Sequence, residues 1–336
     1  MTDNTHAPDT PDTTGDDPEN RDRHQAVAQA ATMPGNLPGR RFGFIGVIGA
    51  PNAGKSTLVN NLVGAKVTIV SHKVQTTRMR IRGITIEGDS QIVLVDTPGI
   101  FAPRRRLDRA MVDAAWSGAG EGDAIVLVVD AARGPSTEVD NILSRLSNSL
   151  VPKALVLNKV DRLEDKAALF DLATRLSSKV TFEKVFMLSA LKGDGVLDLR
   201  KYLASKVPLG PWHYPEDDIT DLPLRMLAAE ITREKMFNRL HEELPYSATV
   251  ETTQWKEFKD GSVRIEQTMF VEREGHRKIA LGKGGQTIKQ ISSEARAELI
   301  EVLERNVHLF LFVKVRENWS EDPSHYRDMG LDFPKD

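Results

Sequence analysis

Cysteine is absent from the 336-residue chain, so no disulfide can staple it and no thiolate metal site can be built. No run of 18 apolar residues occurs, which leaves no candidate membrane span. Neither sign of charge dominates, since the formal net charge is −3. That balance is uneven along the chain. Residues 1–25, MTDNTHAPDTPDTTGDDPENRDRHQ, carry seven acids against two arginines, so the remainder is slightly basic, about +2. The acidic total therefore does not exclude a nucleic-acid partner. The same stretch lacks the basic and apolar segments of a secretory signal, and it is too polar to offset its own ordering entropy. The first 38 residues are expected to be disordered.

Short apolar runs fill the next part: FGFIGVIG, IRGITIE, QIVLVD, AIVLVVD, KALVLN and KVFML. Several are almost purely apolar, as strands buried on both faces must be. Amphipathic stretches separate the later ones, around Asn141–Leu146 and Lys166–Leu176. The alternation predicts an α/β unit with a mostly parallel sheet and helices on both faces. It breaks at KVPLGPWHYPEDDITDLP, whose prolines and acids read as a linker. A second, α+β unit follows. Leu224, Leu227, Ala228 and Ile231 share a helical face, Tyr246–Trp255 and Ser262–Arg273 are strand-like, two helical pieces are split at GKGG, and VHLFLFVKV closes the unit.

Gly49 to Ser56 fits G-x-x-x-x-G-K-[ST], between the strand FGFIGVI and a helix over Ser56–Leu62. Small residues let backbone N–H groups curl round phosphates, so Gly49, Ala50, Pro51, Asn52, Ala53, Gly54, Lys55, Ser56 and Thr57 form the expected cradle. Lys55 is placed to reach the β- and γ-phosphate oxygens and Ser56 to ligate Mg²⁺. QIVLVDTPG ends a strand in Asp-x-x-Gly: Asp96 would hold Mg²⁺ through water, beside Thr97 and Pro98, and the Gly99 N–H would sense the γ-phosphate. LVLNKVD ends another strand. The Asp161 carboxylate can accept both guanine donors, N1–H and N2–H₂, whereas adenine lacks the amine. Asn158 would approach the other edge of the base, with the Lys159 stem packed along it. MLSALKG places Ser189 and Ala190 at a strand end, suited to offer a backbone N–H to the guanine O6. These motifs, in this order and all at strand ends, resemble the translation-factor-like class of P-loop GTPases.

That resemblance implies bound GTP or GDP, Mg²⁺ and a first switch in VSHKVQTTRMRI. Thr77, which directly precedes an arginine, is favoured over Thr76 as the residue closing on Mg²⁺ and the γ-phosphate. The catalytic set is then Lys55, Thr77, Asp96, Gly99 and Asn52, with Ser56, Thr77 and Asp96 around the metal. Many GTPases place a water-orienting glutamine directly after the Asp-x-x-Gly glycine. Here that position is Ile100, so slow intrinsic hydrolysis is expected. Relatives with an apolar residue there often use a P-loop asparagine to hold K⁺. Asn52 stands at that position, with a loop-stabilising role as the equal alternative.

The second unit carries G-x-x-G at Gly282–Gly285 between two helical segments, with five Lys or Arg against two Glu from Val271 to Lys289. Such a loop approaches a sugar-phosphate chain closely, and an apolar groove beside it takes unstacked bases. Arg277, Lys278, Ile279, Gly282, Lys283, Gly284, Gly285, Ile288 and Lys289 are the expected RNA contacts, with no DNA partner expected. The unit resembles a type II KH domain. HEELPYSATVE, FVEREGHRKIALGKGG and VHLFLFVKVRENWSED resemble the Era family of bacterial ribosome-assembly GTPases, over about Gly43 to Leu331. The resemblance implies a GTPase domain over 39–206, a linker over 207–222, a KH domain over 223–319 and a tail over 320–336. It also implies a single-stranded 3′ segment of small-subunit (16S) rRNA as ligand, the small ribosomal subunit as partner, a cytoplasmic setting and loose association with the inner membrane. A tandem-GTPase or tRNA-modification relative fits less well, given the one P-loop and the G-x-x-G unit. An RNA-binding module with a purely structural nucleotide site is the reading from another class.

Overall fold

The computed structural model describes residues 39–334. The expected disorder of the first 38 residues lies outside them. Six strands form the first sheet: β1 (Arg41–Ile48), β2 (Ile81–Glu87), β3 (Ser90–Asp96), β4 (Ala124–Asp130), β5 (Lys153–Asn158) and β6 (Lys184–Met187). Their spatial order is β2-β3-β1-β4-β5-β6, with β2 antiparallel and the rest parallel. The apolar runs explain this placement, because β3, β4 and β5 are buried along their whole length between helical layers. One layer holds α1 (Lys55–Val63) and α5 (Val196–Lys206), which supply Leu58, Val59, Leu62, Leu199 and Leu203 to the core. The other holds α2 (Arg106–Gly120), α3 (Thr137–Leu146) and α4 (Ala168–Ser177), with Ile142, Leu143, Leu146 and Leu176 inward. The Ser136 hydroxyl caps α3 by accepting from the Val139 N–H at 3.4 Å.

Residues 207–222 run back along this sheet. The Ile84 N–H donates to the Ile219 carbonyl at 2.8 Å, Gln91 bonds the backbone of His213 and Tyr214, and His213 stacks on Phe42 at 4.0 Å. The proline-rich stretch therefore covers the sheet as a strap.

The second unit has the order α6 (Leu224–Arg239), β7 (Ala248–Glu257), β8 (Val263–Val271), α7 (Glu274–Leu281), α8 (Gln286–Leu303) and β9 (Val307–Val315). Its sheet is β7-β8-β9, antiparallel then parallel, with a bulge between Thr252 and Gln254. Met236, Phe237, Met269, Ala280 and Ile291 fill its core. After β9 the chain turns at Trp319–Glu321 and forms α9 (Pro323–Asp328). Trp319, Tyr326 and Leu331 are buried against Leu107, Met111 and Ala114 of α2. The C-terminal residues thus return from the second unit to the first. No helix among the described residues is long and apolar enough to cross a membrane.

Candidate functional site

β1 lies where the sheet order changes direction, with β3 on one side and β4 on the other. Open α/β sheets form a crevice at such a point. A cavity of about 380 Å³ opens there, lined by Pro51, Asn52, Gly54, Lys55, Ser56, Thr57, Thr77, Gly99, Asn158, Lys159, Asp161 and Ala190. Gly49, Ala50, Ala53, Asp96, Thr97, Pro98 and Ser189 do not line it. Thr97, for one, turns its hydroxyl to the Val47 carbonyl at 2.8 Å. The start of α1 has no side-chain cap and no acid in its first turn, so its free N–H groups and positive dipole end face the cavity. Gly54 has φ 94°, and a Cβ there would lie 2.3 Å from the Asn158 Nδ2. Only glycine permits that approach.

The buried Lys55 ammonium donates to the Gly49 and Ala50 carbonyls at 3.2 and 3.1 Å. Burial lowers its pKa to about 8 against the opposing pull of Asp96. Asp96 is fully buried, and burial pushes its carboxyl above the usual range against Lys55 and its hydroxyl donors. Its Oδ2 accepts from Ser56 at 2.7 Å, Thr68 at 2.8 Å and Thr77 at 3.4 Å, while its Oδ1 is buried without a partner among the described residues. The Ser56 and Thr77 hydroxyls are 3.0 Å apart. This cluster of hard oxygens, with one carboxylate oxygen left over, fits Mg²⁺ held by few protein groups, waters and phosphates. Thr76 instead bonds Ser71 and the Lys73 carbonyl. Ile100 is buried among apolar neighbours with its N–H on the Gly49 carbonyl, so this position offers the site no polar side chain.

At the far end the Asp161 Oδ1 accepts from the Ser189 hydroxyl at 2.6 Å, which above all holds its carboxyl below the usual range. Asn158 is buried and spent inside the protein: its Nδ2 donates to the Ala53 carbonyl at 2.9 Å and its Oδ1 accepts from the Ala190 N–H at 2.9 Å. The Ala190 N–H expected to meet guanine O6 is therefore tied to Asn158 here, and Asn158 stitches three loops together at the cavity wall. Lys159, at φ 66°, reaches the Asn52 carbonyl and Asp130, each at 2.6 Å. The Asn52 side chain donates to the His72 carbonyl at 3.0 Å, tying the P-loop to the first switch.

His72, Gln75, Asp130, Arg133, Arg162 and Leu191 also line the cavity. Sequence reasoning missed them. Asp130 ends an apolar strand, as Asp96 does, and that signal could have found it. Leu191 directly follows the Ser-Ala pair and is 72% exposed at the mouth, an apolar cover suited to a flat ring.

The G-x-x-G segment turns between α7 and α8. Gly282 has φ 73°, and a Cβ there would lie 2.2 Å from the Thr287 Oγ1. Gly284 and Gly285 also have positive φ but open space around them, and Lys283 is exposed. A groove of about 370 Å³ beside the loop is lined by Ile288, Lys289, Ser292, Ser293, Arg296, Leu309 and Leu311. Arg277, Lys278 and Ile279 do not line it, and Arg277 pairs with Glu274 at 2.9 Å. The last five lining residues were missed, although the helical spacing along α8 and the alternation of β9 place them on one face.

The two sites are joined. Between them, residues 66–78 dock on α6 and the segment after it. The Val70 N–H and Lys66 donate to Glu234 at 2.7 and 2.6 Å, and Lys66 also pairs with Glu298 of α8. Lys73 donates to the Phe237 and Leu240 carbonyls, and Arg233 to the Thr76 carbonyl at 2.5 Å. Arg78, next to Thr77, is 2% exposed. It donates to the Ala248, Pro245 and Tyr246 carbonyls at 2.9, 3.0 and 3.4 Å, with Phe237 and Trp319 near its guanidinium.

Residues 44–159 match the 50S ribosome-binding GTPase family and residues 243–320 the KH domain family. GTPase Era of Rhizobium meliloti (strain 1021) is 61% identical over 307 residues, covering 91% of this chain and 97% of its own. GTPase Era of Brucella suis biovar 1 (strain 1330) is 61% identical over 294 residues, covering 88% and 94%. Among solved structures, Era of Aquifex aeolicus bound to GDP·AlF4⁻ matches with TM-score 0.82 and 38% identity, over 86% of this chain and 99% of that one. Era in complex with MgGDPNP and nucleotides 1506–1542 of 16S rRNA matches with TM-score 0.81 and 37% identity, over 87% and 99%. A phosphate cradle and guanine motifs on a mostly parallel sheet, followed by a KH domain, thus meet in one chain that the comparisons span almost whole, and the chain belongs to the GTPase Era family.

Proposed function

We propose that this GTPase is a nucleotide-driven switch whose KH unit holds a single-stranded segment near the 3′ end of small-subunit rRNA during assembly of that subunit. The observation that carries the reading is the adjacency of Thr77, whose hydroxyl meets Asp96 and Ser56, and Arg78, which is locked into the KH unit. Mg²⁺, when bound, would supply positive charge that offsets the charge of the nucleotide phosphates. Ser56, Thr77 and Asp96 would hold it, Lys55 would balance the phosphates, and Asp161 would read guanine.

Thr77, which here bonds Asp96 and Ser56, would gain a further partner when Mg²⁺ and a γ-phosphate are bound. A shift of Thr77 would pull on the neighbouring Arg78, and through it on the segment that enters β7. Ligand contacts that differ between two states are what shift an equilibrium between them. By reciprocity, RNA in the groove strengthens the nucleotide state that favours it. A relative's complex with both MgGDPNP and 16S rRNA nucleotides supports the pairing of the two ligands.

The test is binding of that 1506–1542 fragment by the full chain loaded with GDPNP or with GDP. Tighter binding with GDPNP is expected, together with faster phosphate release from GTP when the RNA is added. Equal affinity in both nucleotide states overturns the switch. Asn52 serves as a loop tie in this geometry. A K⁺ role for it requires faster turnover in K⁺ than in Na⁺, and equal rates rule that role out.

A further inference from the structure

Strand β9 is an edge strand with two unlike faces. Leu309 and Leu311 point into the groove beside the G-x-x-G loop. Strand side chains alternate, so His308, Phe310, Phe312 and Lys314 stand on the opposite face. Phe310 is 42% and Phe312 48% exposed, an unusual cost in water for a nine-residue edge strand. Arg264 of β8 lies over the Phe310 ring at 4.4 Å, and Lys256 of β7 lies 5.6 Å from the ring of Phe258, itself 39% exposed.

The charges on this face are mostly positive. Of its acids, Glu266 pairs with Arg264 and Glu251 with Arg316, while Asp260 in the β7–β8 turn lies near His308. Lys256 and Lys314 have no ion-pair partner among the described residues. One end of the face is closed, because Arg316 stacks on Phe270 at 3.6 Å. The open end is therefore aromatic and basic. Single-stranded nucleic acid is bound by that combination, with bases stacked on rings and phosphates on cations. A second copy of this chain would set the same excess of positive charge against itself. Among the described residues no strand lies beyond β9, so a chain leaving the groove crosses a free edge to reach the rings.

We propose that the outer face of the KH sheet, centred on Phe310 and Phe312, is a second RNA contact that stacks bases lying beyond those held in the groove. This rests on the RNA-clamp reading above. The experiment uses the full chain with GDPNP and two probes: the 1506–1542 fragment of 16S rRNA, and an oligonucleotide of about six residues from its 3′ end, enough to fill a groove that takes about four. The double variant Phe310→Ala/Phe312→Ala is compared with Lys283→Asp and with Phe312→Trp. Loss of stacking weakens the long RNA by about tenfold or more per ring. Affinity for the short RNA and basal GTP hydrolysis stay unchanged, Phe312→Trp keeps full affinity, and Lys283→Asp loses both RNAs. Photocrosslinks from a bromouridine-substituted long RNA map to Phe310 or Phe312.

Unchanged long-RNA affinity in the double variant overturns the proposal while short-RNA binding leaves the clamp intact. Sedimentation showing a wild-type dimer and a monomeric double variant with normal RNA affinity also overturns it, and makes the face a contact between copies. A wild type that binds neither RNA overturns the clamp itself.

Discussion

In the proposed reading Asp161 recognises the base with one carboxylate, and the structure keeps that carboxylate charged. The Ser189 hydroxyl donates to one oxygen and lowers its pKa, so the group is an acceptor throughout the neutral range. Asp161→Asn replaces one acceptor by a donor opposite the guanine N1–H and N2 amine. Unmatched polar groups cost about 1–3 kcal/mol, so GTP affinity should fall roughly ten- to a hundredfold, while xanthine nucleotides, with a carbonyl at that position, gain in relative affinity. Titration calorimetry with both nucleotides reads this directly, and an unchanged preference for guanine would remove Asp161 from its role. Gly282 gives a second residue-scale test. Alanine there meets Thr287 and a left-handed backbone, so Gly282→Ala should weaken binding of the 16S fragment at least several-fold with GTP turnover unchanged. Residues of this kind were legible in the sequence because one chemical demand selects one residue type. Leu191, Gln75 and Arg133 were not, because a loop lining is set by the path of the backbone and leaves no period to read.

At the scale of elements, the first switch is a loop held by another unit's helix. Arg78 donates to three carbonyls through its two terminal nitrogens, and its Nε is buried with no partner among the described residues. Burial, followed by the neighbouring Arg233 charge, pushes its guanidinium below its usual range. Such a group is stable only while its acceptors are in place. Arg78→Met leaves those carbonyls unsatisfied. It should lower the thermal midpoint and reduce kcat for GTP at least tenfold, with KM changed less than threefold, because base and β-phosphate contacts are untouched. Arg78→Lys keeps the charge without the fork and should fall between. If stability drops while kcat holds, Arg78 is a structural tie without influence on Thr77. Strands and nucleotide motifs were legible because burial on both faces demands apolar runs. The strap over residues 207–222 and the C-terminal return were not, since proline and acids read as linker until Gln91 and Phe42 are seen to hold them.

Across the whole molecule, two contacts close one circuit: residues 66–78 on α6, and the C-terminal segment on α2. The first carries a pH signature. Burial raises the Glu234 carboxyl, but Lys66, the Val70 N–H and Lys235 outweigh it and hold the group below its ordinary 4.5. A depressed folded value means that its stabilisation is full above pH 4.5 and is lost as pH falls through the folded value. The acid limb of thermal stability should therefore flatten in Glu234→Gln, and an unaltered slope would deny the docking its electrostatic part. The second contact links the segment after Gly99 to the RNA-binding unit, since Phe101 packs in the cluster of Leu107, Met111, Trp319 and Tyr326. Tyr326 is fully buried there and its hydroxyl donates to the Ser320 carbonyl at 2.7 Å. Tyr326→Ala should cost about 3–5 kcal/mol of local docking, by analogy with other buried aromatics, and free the C-terminal segment from α2. Both ligand sites lie elsewhere, so GTP and the short RNA should bind as before. What should vanish is their coupling: the 16S fragment would no longer accelerate phosphate release, and GDPNP would no longer tighten the RNA. Hydrogen exchange over α2 and α9 would report the release independently. Preserved coupling with raised exchange would leave residues 66–78 as the route between the two sites.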